Sequence, residues 1–221
     1  MATMPLRSAS GQPEPDAAWA ATAAGLALLD SERDSIRAVL AERPGQPWLW
    51  LGPVAAAGDD VPGCGLRLAA CGRGWRGPVR CALPLPLANE SVAAVVLQHV
   101  GQRGDAADAL LRECARVLIP GGRLVLYALN PLSPWRWRWG GRDANAAEPM
   151  PWRRRMRAAG LEPEPVSQGV GPRWHAAEEA GLQHGPGLRA AWRLAAEKRR
   201  IPLTPVRQRA PLRLGSEVPA A

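Results

Sequence analysis

The chain has 221 residues and a mass of 23.6 kDa, the size of a single α/β domain with its own core. Ala, Gly, Pro and Arg supply more than half of it and Phe is absent, a shortage of large core formers that predicts one thinly packed domain over 16–200. The net charge of +8 lies wholly in the last part of the chain, where 16 basic residues face 8 acidic ones from Ser133 onward, and no apolar stretch approaches the roughly 20 residues of a transmembrane helix.

Residues 1–15 are rich in Pro, Ser and Gly and read as a disordered start without the apolar core of a secretory signal. Two helices follow in the pattern. One covers 16–29, weakened by Gly25 by about 1 kcal/mol relative to Ala. The second is capped by Ser31, carries Ile36, Val39 and Leu40 on one face, and closes at Pro44-Gly45.

Trp48-Leu49-Trp50-Leu51 is wholly apolar and ends at Gly52-Pro53, as a strand buried on both faces does. Weaker strands are read at 66–71 and 79–83, and the strongest strand signal is 91–98. Residues 105–118 form a helix with Leu111, Cys114, Ala115 and Leu118 on one face. A Pro120-Gly121-Gly122 turn then leads into a strand over 122–130. Strands alternating with helices predict a mostly parallel sheet. Beyond it come an irregular segment at 131–151, a short helix at 152–159, two edge strands at 161–166 and 188–197, and a Pro-rich tail at 201–221.

In such a sheet the ligand sits at the carboxyl ends of the strands, so the loops after Leu51, Cys71, Leu83 and Gln98 are the candidate site. The first holds Gly52 followed by Pro53, which removes a backbone donor. The second ends in Ala70-Cys71-Gly72 and the third contains Arg80-Cys81-Ala82, so neither offers a carboxylate. His99, just past the strongest strand, is the candidate general base, against the alternative of a polar strand cap. No CxxC joins the four cysteines, and no metal site is expected; they read as small, buried, free thiols of a cytoplasmic protein.

Trp135, Arg136, Trp137, Arg138 and Trp139 interleave aromatic planes with guanidinium groups. The pattern suits stacking of bases and neutralisation of phosphates, a lid over a substrate, a membrane-interface insertion, or a flap anchored on the domain. The basic carboxy-terminal part points to RNA or a protein partner, but Arg also rises with Ala, Gly and Pro in GC-rich coding sequence.

The run from Leu83 to Asn130, and within it LLRECARVLIPGGRLVLYALN, resembles the type 11 group of class I S-adenosylmethionine-dependent methyltransferases. Asn130-Pro131-Leu132-Ser133-Pro134-Trp135 and the stretch KRRIPLTPVR are similar to a proteobacterial subgroup of methyltransferase-like proteins with degenerate cofactor motifs. The resemblance implies a Rossmann-like α/β fold with a mostly parallel seven-stranded sheet whose last strand is antiparallel. It implies S-adenosyl-L-methionine as cofactor, methyl transfer to an unidentified acceptor, and as the alternative a non-catalytic relative that binds RNA or protein. By position, Gly52 and Pro53 would form the first cofactor loop. Cys71 and Gly72 would stand at the ribose, Cys81, Ala82 and Leu83 at the adenine, and Gln98 and His99 at the methionine end. Ala93 stands where the family commonly has an aspartate.

Overall fold

The computed structural model describes residues 19–53, 61, 63–72, 74–100, 105–135, 146–173 and 182–199. A single 3-10 turn at Trp19–Ala21 leads into helix α1, Ala23–Ala41, which runs without a break through both predicted helices. Its cap is Thr22, whose hydroxyl accepts from the Gly25 N–H at 3.0 Å, while Ser31 lies inside the helix and bonds to the Leu28 carbonyl. Gly25 is required rather than merely tolerated: a Cβ there would lie 2.1 Å from the carbonyl oxygen of Trp19.

Ten strands follow: β1 Trp48–Gly52, β2 Gly65–Cys71, β3 Gly74–Arg76, β4 Arg80–Cys81, β5 Val92–Gln98, β6 Leu118–Leu129, β7 Leu161–Pro163, β8 Gln168–Val170, β9 Gln183–His184 and β10 Ala191–Lys198. Helix α2, Asp105–Val117, links β5 to β6, and α3, Pro149–Ala158, precedes β7. The sheet order is β4-β3-β2-β1-β5-β6-β10-β8-β9, with β7 also on β10.

The expectation of a mostly parallel, seven-stranded sheet is overturned. Only β1–β2, β1–β5 and β5–β6 pair in parallel, and the remaining pairs are antiparallel. For the β3–β4 ribbon the physical reason is connection length. A parallel neighbour needs a crossover of a dozen or more residues, which 53–64 supplies between β1 and β2 and the α2 link supplies between β5 and β6. Cys71 to Gly74 and Arg76 to Arg80 are too close for a crossover, so the predicted third strand becomes a hairpin ribbon. On the other side β10 returns against β6 along seven residue pairs, and β7 and β8 line up on it in turn. The topology of the central strands remains Rossmann-like.

The predicted Pro-Gly-Gly turn survives as a bulge within β6. Val92 pairs with Leu118 but Ala94 pairs with Arg123, so residues 119–122 loop out between them.

Strand alternation divides the core into two layers. Leu49, Leu51, Val95, Leu97, Leu124 and Leu126 face α2 and α3, where Leu111, Cys114, Trp152 and Met156 meet them. Trp48, Trp50, Val96, Val125 and Tyr127 face α1 through Leu28, Ile36, Val39 and Leu40. The thiols do not all follow the buried reading. Cys114 is buried and Cys81 half-buried, whereas Cys64 and Cys71 are exposed, and all four are free. Among the described residues no helix is long and apolar enough to cross a membrane.

Candidate functional site at the strand ends

The carboxyl ends of β1 and β5 meet beneath α1. Leu28, Glu32, Ile36 and Val39 form one buried face of that helix, so helical spacing drives a carboxylate into the core. Glu32 is fully buried, and its carboxyl oxygens are met by Gln98 and His99, with Trp50 behind Gln98. The indole N–H of Trp50 donates to Gln98 Oε1 at 3.1 Å, and the Gln98 amide donates to Glu32 Oε2 at 3.0 Å. His99 Nε2 lies 2.9 and 3.0 Å from the two Glu32 oxygens.

His99 takes a positive φ of 50° at the strand end, and its backbone N–H bonds to the Tyr127 carbonyl at 2.9 Å. That geometry turns the imidazole back under α1, where its side chain is 1% exposed. The Trp19 ring stands edge-on to it, with centroids 5.1 Å apart. The other ring nitrogen, Nδ1, is buried with no hydrogen-bond partner among the described residues.

One turn along α1, Ser35 continues the polar seam. Its hydroxyl bonds to the Tyr127 hydroxyl at 2.8 Å and accepts from Arg193 Nη1 at 2.9 Å. Burial pushes the Tyr127 phenol above its ordinary pKa, partly offset by the Ser35 hydrogen bond and the Arg193 charge. On the outer side, the Arg67 guanidinium lies 3.7 Å over the Trp50 ring and covers it.

The other sequence-derived positions are spread along the same edge. Gly52 and Pro53 are buried at the end of β1. Cys71 and Gly72 are exposed at the end of β2; Gly72 has φ 60° and open space where a Cβ would point. Ala82 and Leu83 are exposed past β4. The structure thus joins Gln98 and His99 in one network and leaves Cys71, Gly72, Ala82 and Leu83 on an open surface.

Trp135 is buried in the core layer under α1. It is anchored by a polar turn in which Asn130 Oδ1 accepts from the Leu132 N–H at 3.0 Å and Ser133 Oγ accepts from the Trp135 N–H at 3.2 Å. Arg136, Trp137, Arg138 and Trp139 lie outside the described residues.

A groove of about 660 Å³ opens at the opposite end of β6, lined by Glu42, Arg43, Arg123, Glu164 and Lys198. Its charges are largely spent on one another, since Arg123 bridges Glu42 and Glu164 at 3.1 and 2.8 Å. It lies away from the strand ends and is not the candidate site.

The fold is class I S-adenosylmethionine-dependent methyltransferase-like. The family described as "Methyltransferase domain" matches residues 76–126, from the end of β3 into β6. A Thermotoga maritima S-adenosylmethionine-dependent methyltransferase, described as a possible histamine N-methyltransferase, is 16% identical with a TM-score of 0.53, over 79% of this chain and 92% of that one. A chain of a structure described as a "complex between the Haloferax volcanii Trm112 methyltransferase activator and the putative methyltransferase" is 15% identical with a TM-score of 0.55, over 86% of this chain and 99% of that one. No curated protein sequence matches this chain significantly.

The described strand ends fit S-adenosyl-L-methionine only in part. Gly72 leaves its backbone open to a ligand. Among the described residues, β2 ends in Ala70-Cys71 and β4 in Arg80-Cys81, so neither strand end presents a carboxylate. The polar side chains of β5 are engaged internally with Glu32 and Trp50.

Proposed function

We propose that this protein transfers a methyl group from S-adenosyl-L-methionine to an unidentified acceptor, with His99 as the proton acceptor of the reaction. The observation that carries the reading is the sheet order itself: β2-β1-β5-β6 with antiparallel β10 beside β6 puts Gly52, Gly72, Gln98 and His99 along one edge, within a fold shared with methyltransferases of 15 to 16% identity. Gly52 and Gly72 are assigned to the nucleoside. The four free thiols support a reducing, cytoplasmic setting.

Loss of a ribose carboxylate removes charged hydrogen bonds of roughly 1.5–3 kcal/mol, so affinity about 10 to 150-fold below that of a site with the acid is expected. Titration calorimetry with S-adenosylmethionine and S-adenosylhomocysteine is the test. Heat and saturation at micromolar to sub-millimolar ligand support the reading, and no heat at millimolar ligand removes it.

A second reading is favoured by α3. Its Arg153, Arg154, Arg155 and Arg157 sit within five positions, and Arg154 and Arg157, one turn apart, are exposed with no paired carboxylate among the described residues. On this reading the fold is a non-catalytic platform for single-stranded RNA. An Arg154→Ala/Arg157→Ala variant is then expected to bind an RNA oligonucleotide more weakly and with a shallower salt dependence; an unchanged slope excludes α3 from that role.

A further inference from the structure

The hydrogen bonds at the end of β5 have a direction, and it is set from Trp50. An indole N–H can only donate, so the Gln98 oxygen must face it and the Gln98 amide nitrogen must face Glu32. Glu32 therefore accepts at Oε2. His99 Nε2 sits at near-equal distances from both carboxylate oxygens, which suits an N–H donated between two acceptors; a lone pair there would face two acceptor atoms. That contact calls for a proton on Nε2, which in the neutral ring leaves the lone pair on Nδ1.

We infer that Glu32 is a positioning residue that holds His99 in the Nε2–H tautomer and keeps Nδ1 as a proton acceptor, so that the substrate is one whose attacking oxygen, sulfur or nitrogen carries a proton. In the step, the X–H bond breaks, its electron pair stays on X, and the proton forms an N–H bond at Nδ1. The imidazolium so formed already donates to Glu32, which balances its charge in the core. Nothing in the sequence spacing joined these two residues, which are 67 positions apart.

The ring is enclosed, and Trp19 is its described aromatic wall. An acceptor reaches Nδ1 by displacing that wall. The substrate class rests on the methyl-transfer reading; the tautomer does not.

The test is nitrogen NMR on the full chain labelled at histidine, with the His99 signals assigned through His99→Gln. Wild-type protein is expected to show a protonated Nε2 and a bare Nδ1. Glu32→Gln has one oxygen for two donors, so its amide N–H meets the ring, and the His99 tautomer is expected to invert. A wild-type ring protonated on Nδ1 overturns the inference, as does a folded Glu32→Gln protein with an unchanged tautomer. The wild-type spectrum decides the first point even if the variant does not fold. A second variant, Gln98→Leu, is expected to keep the Nε2–H tautomer because Glu32 remains, and inversion there overturns the assignment to Glu32. Calorimetry with S-adenosylmethionine separates the two proposals. Binding by Glu32→Gln within about threefold of wild type places Glu32 on the acceptor side; loss of binding in that variant alone overturns it. Wild-type protein that shows the ring signature but binds no S-adenosylmethionine overturns the substrate class together with the methyl-transfer reading.

Discussion

The loop that delivers the chain into β5 hangs on one carboxylate, and replacing Glu113 with Gln measures what it contributes. Glu113 lies on the buried face of α2 and accepts from the Leu85 N–H at 2.6 Å and from Arg116 Nε and Nη2 at 2.9 and 2.6 Å. Arg116 in turn donates to the Leu85 and Leu87 carbonyls and to Asn89. The substitution keeps the shape and one acceptor oxygen but removes the charge, and turns an N–H toward either Arg116 or Leu85. With Glu113 buried and the Arg116 side chain 30% exposed, the loss is set at about 2 kcal/mol at neutral pH, within the range for hydrogen bonds to a charged group. For a chain of this size that is about 4 to 8 °C in Tm. The effect also has a pH signature. Hydrogen bonds from Arg116 hold the Glu113 carboxyl below its ordinary pKa, so its contribution is complete above the unfolded carboxylate range. It fades as the pH falls through the lower folded value. Gln cannot titrate, so the gap between wild type and variant is expected to close in acid. Thermal denaturation of both proteins across pH 2 to 7 reads this directly. A gap that is constant with pH, or absent at pH 7, refutes the clamp.

Gly25→Ala is expected to destabilise the protein although Ala is the better helix former by about 1 kcal/mol. The added Cβ would meet the Trp19 carbonyl at 2.1 Å, an overpacking that costs roughly 1–3 kcal/mol, and urea denaturation gives the sign. Thiol titration of the native protein is expected to label exposed Cys64 and Cys71 first and half-buried Cys81 more slowly, since burial raises its pKa. Cys114 is expected to react only on unfolding, because full burial holds its thiol protonated. Wild-type His99, whose side chain is 1% exposed, is expected to stay unmodified by diethyl pyrocarbonate and Trp19→Ala is expected to open it; mass spectrometry of the His99 peptide decides. His99→Gln is expected to lower methyl transfer, measured at saturating S-adenosylmethionine, by about 10²–10⁴-fold.

The central strands were legible because their burial is complete and local. Trp48 to Leu51 and Val92 to Gln98 are buried at every position, which leaves an unbroken apolar run, and α2 declares itself by period. The ribbon β2–β3–β4 departs from the expected third strand because the chain reverses between Cys71 and Gly74 and again between Arg76 and Arg80, at Gly- and Pro-containing links that composition does not distinguish from strand ends. The continuity of α1 was hidden by Gly25 and by Asp30-Ser31, which look like a break and a cap in isolation. At the site, the end of β5 was legible in the chain, but the packing of Glu32 against it was not. Glu32 stands at helical spacing from Leu28 and Ile36, so its burial could be read from period. Its partner at the far end of β5 could not, since that contact exists only once α1 packs on the sheet.

A crystal structure of the protein with S-adenosylhomocysteine tests the account most directly. Density for the nucleoside along Gly52 and Gly72, with its amino-acid end toward Gln98 and His99, is the expected result. Saturating ligand with no density at that edge, and the Glu32, Gln98 and Trp50 network unchanged across it, would contradict methyl transfer by this protein.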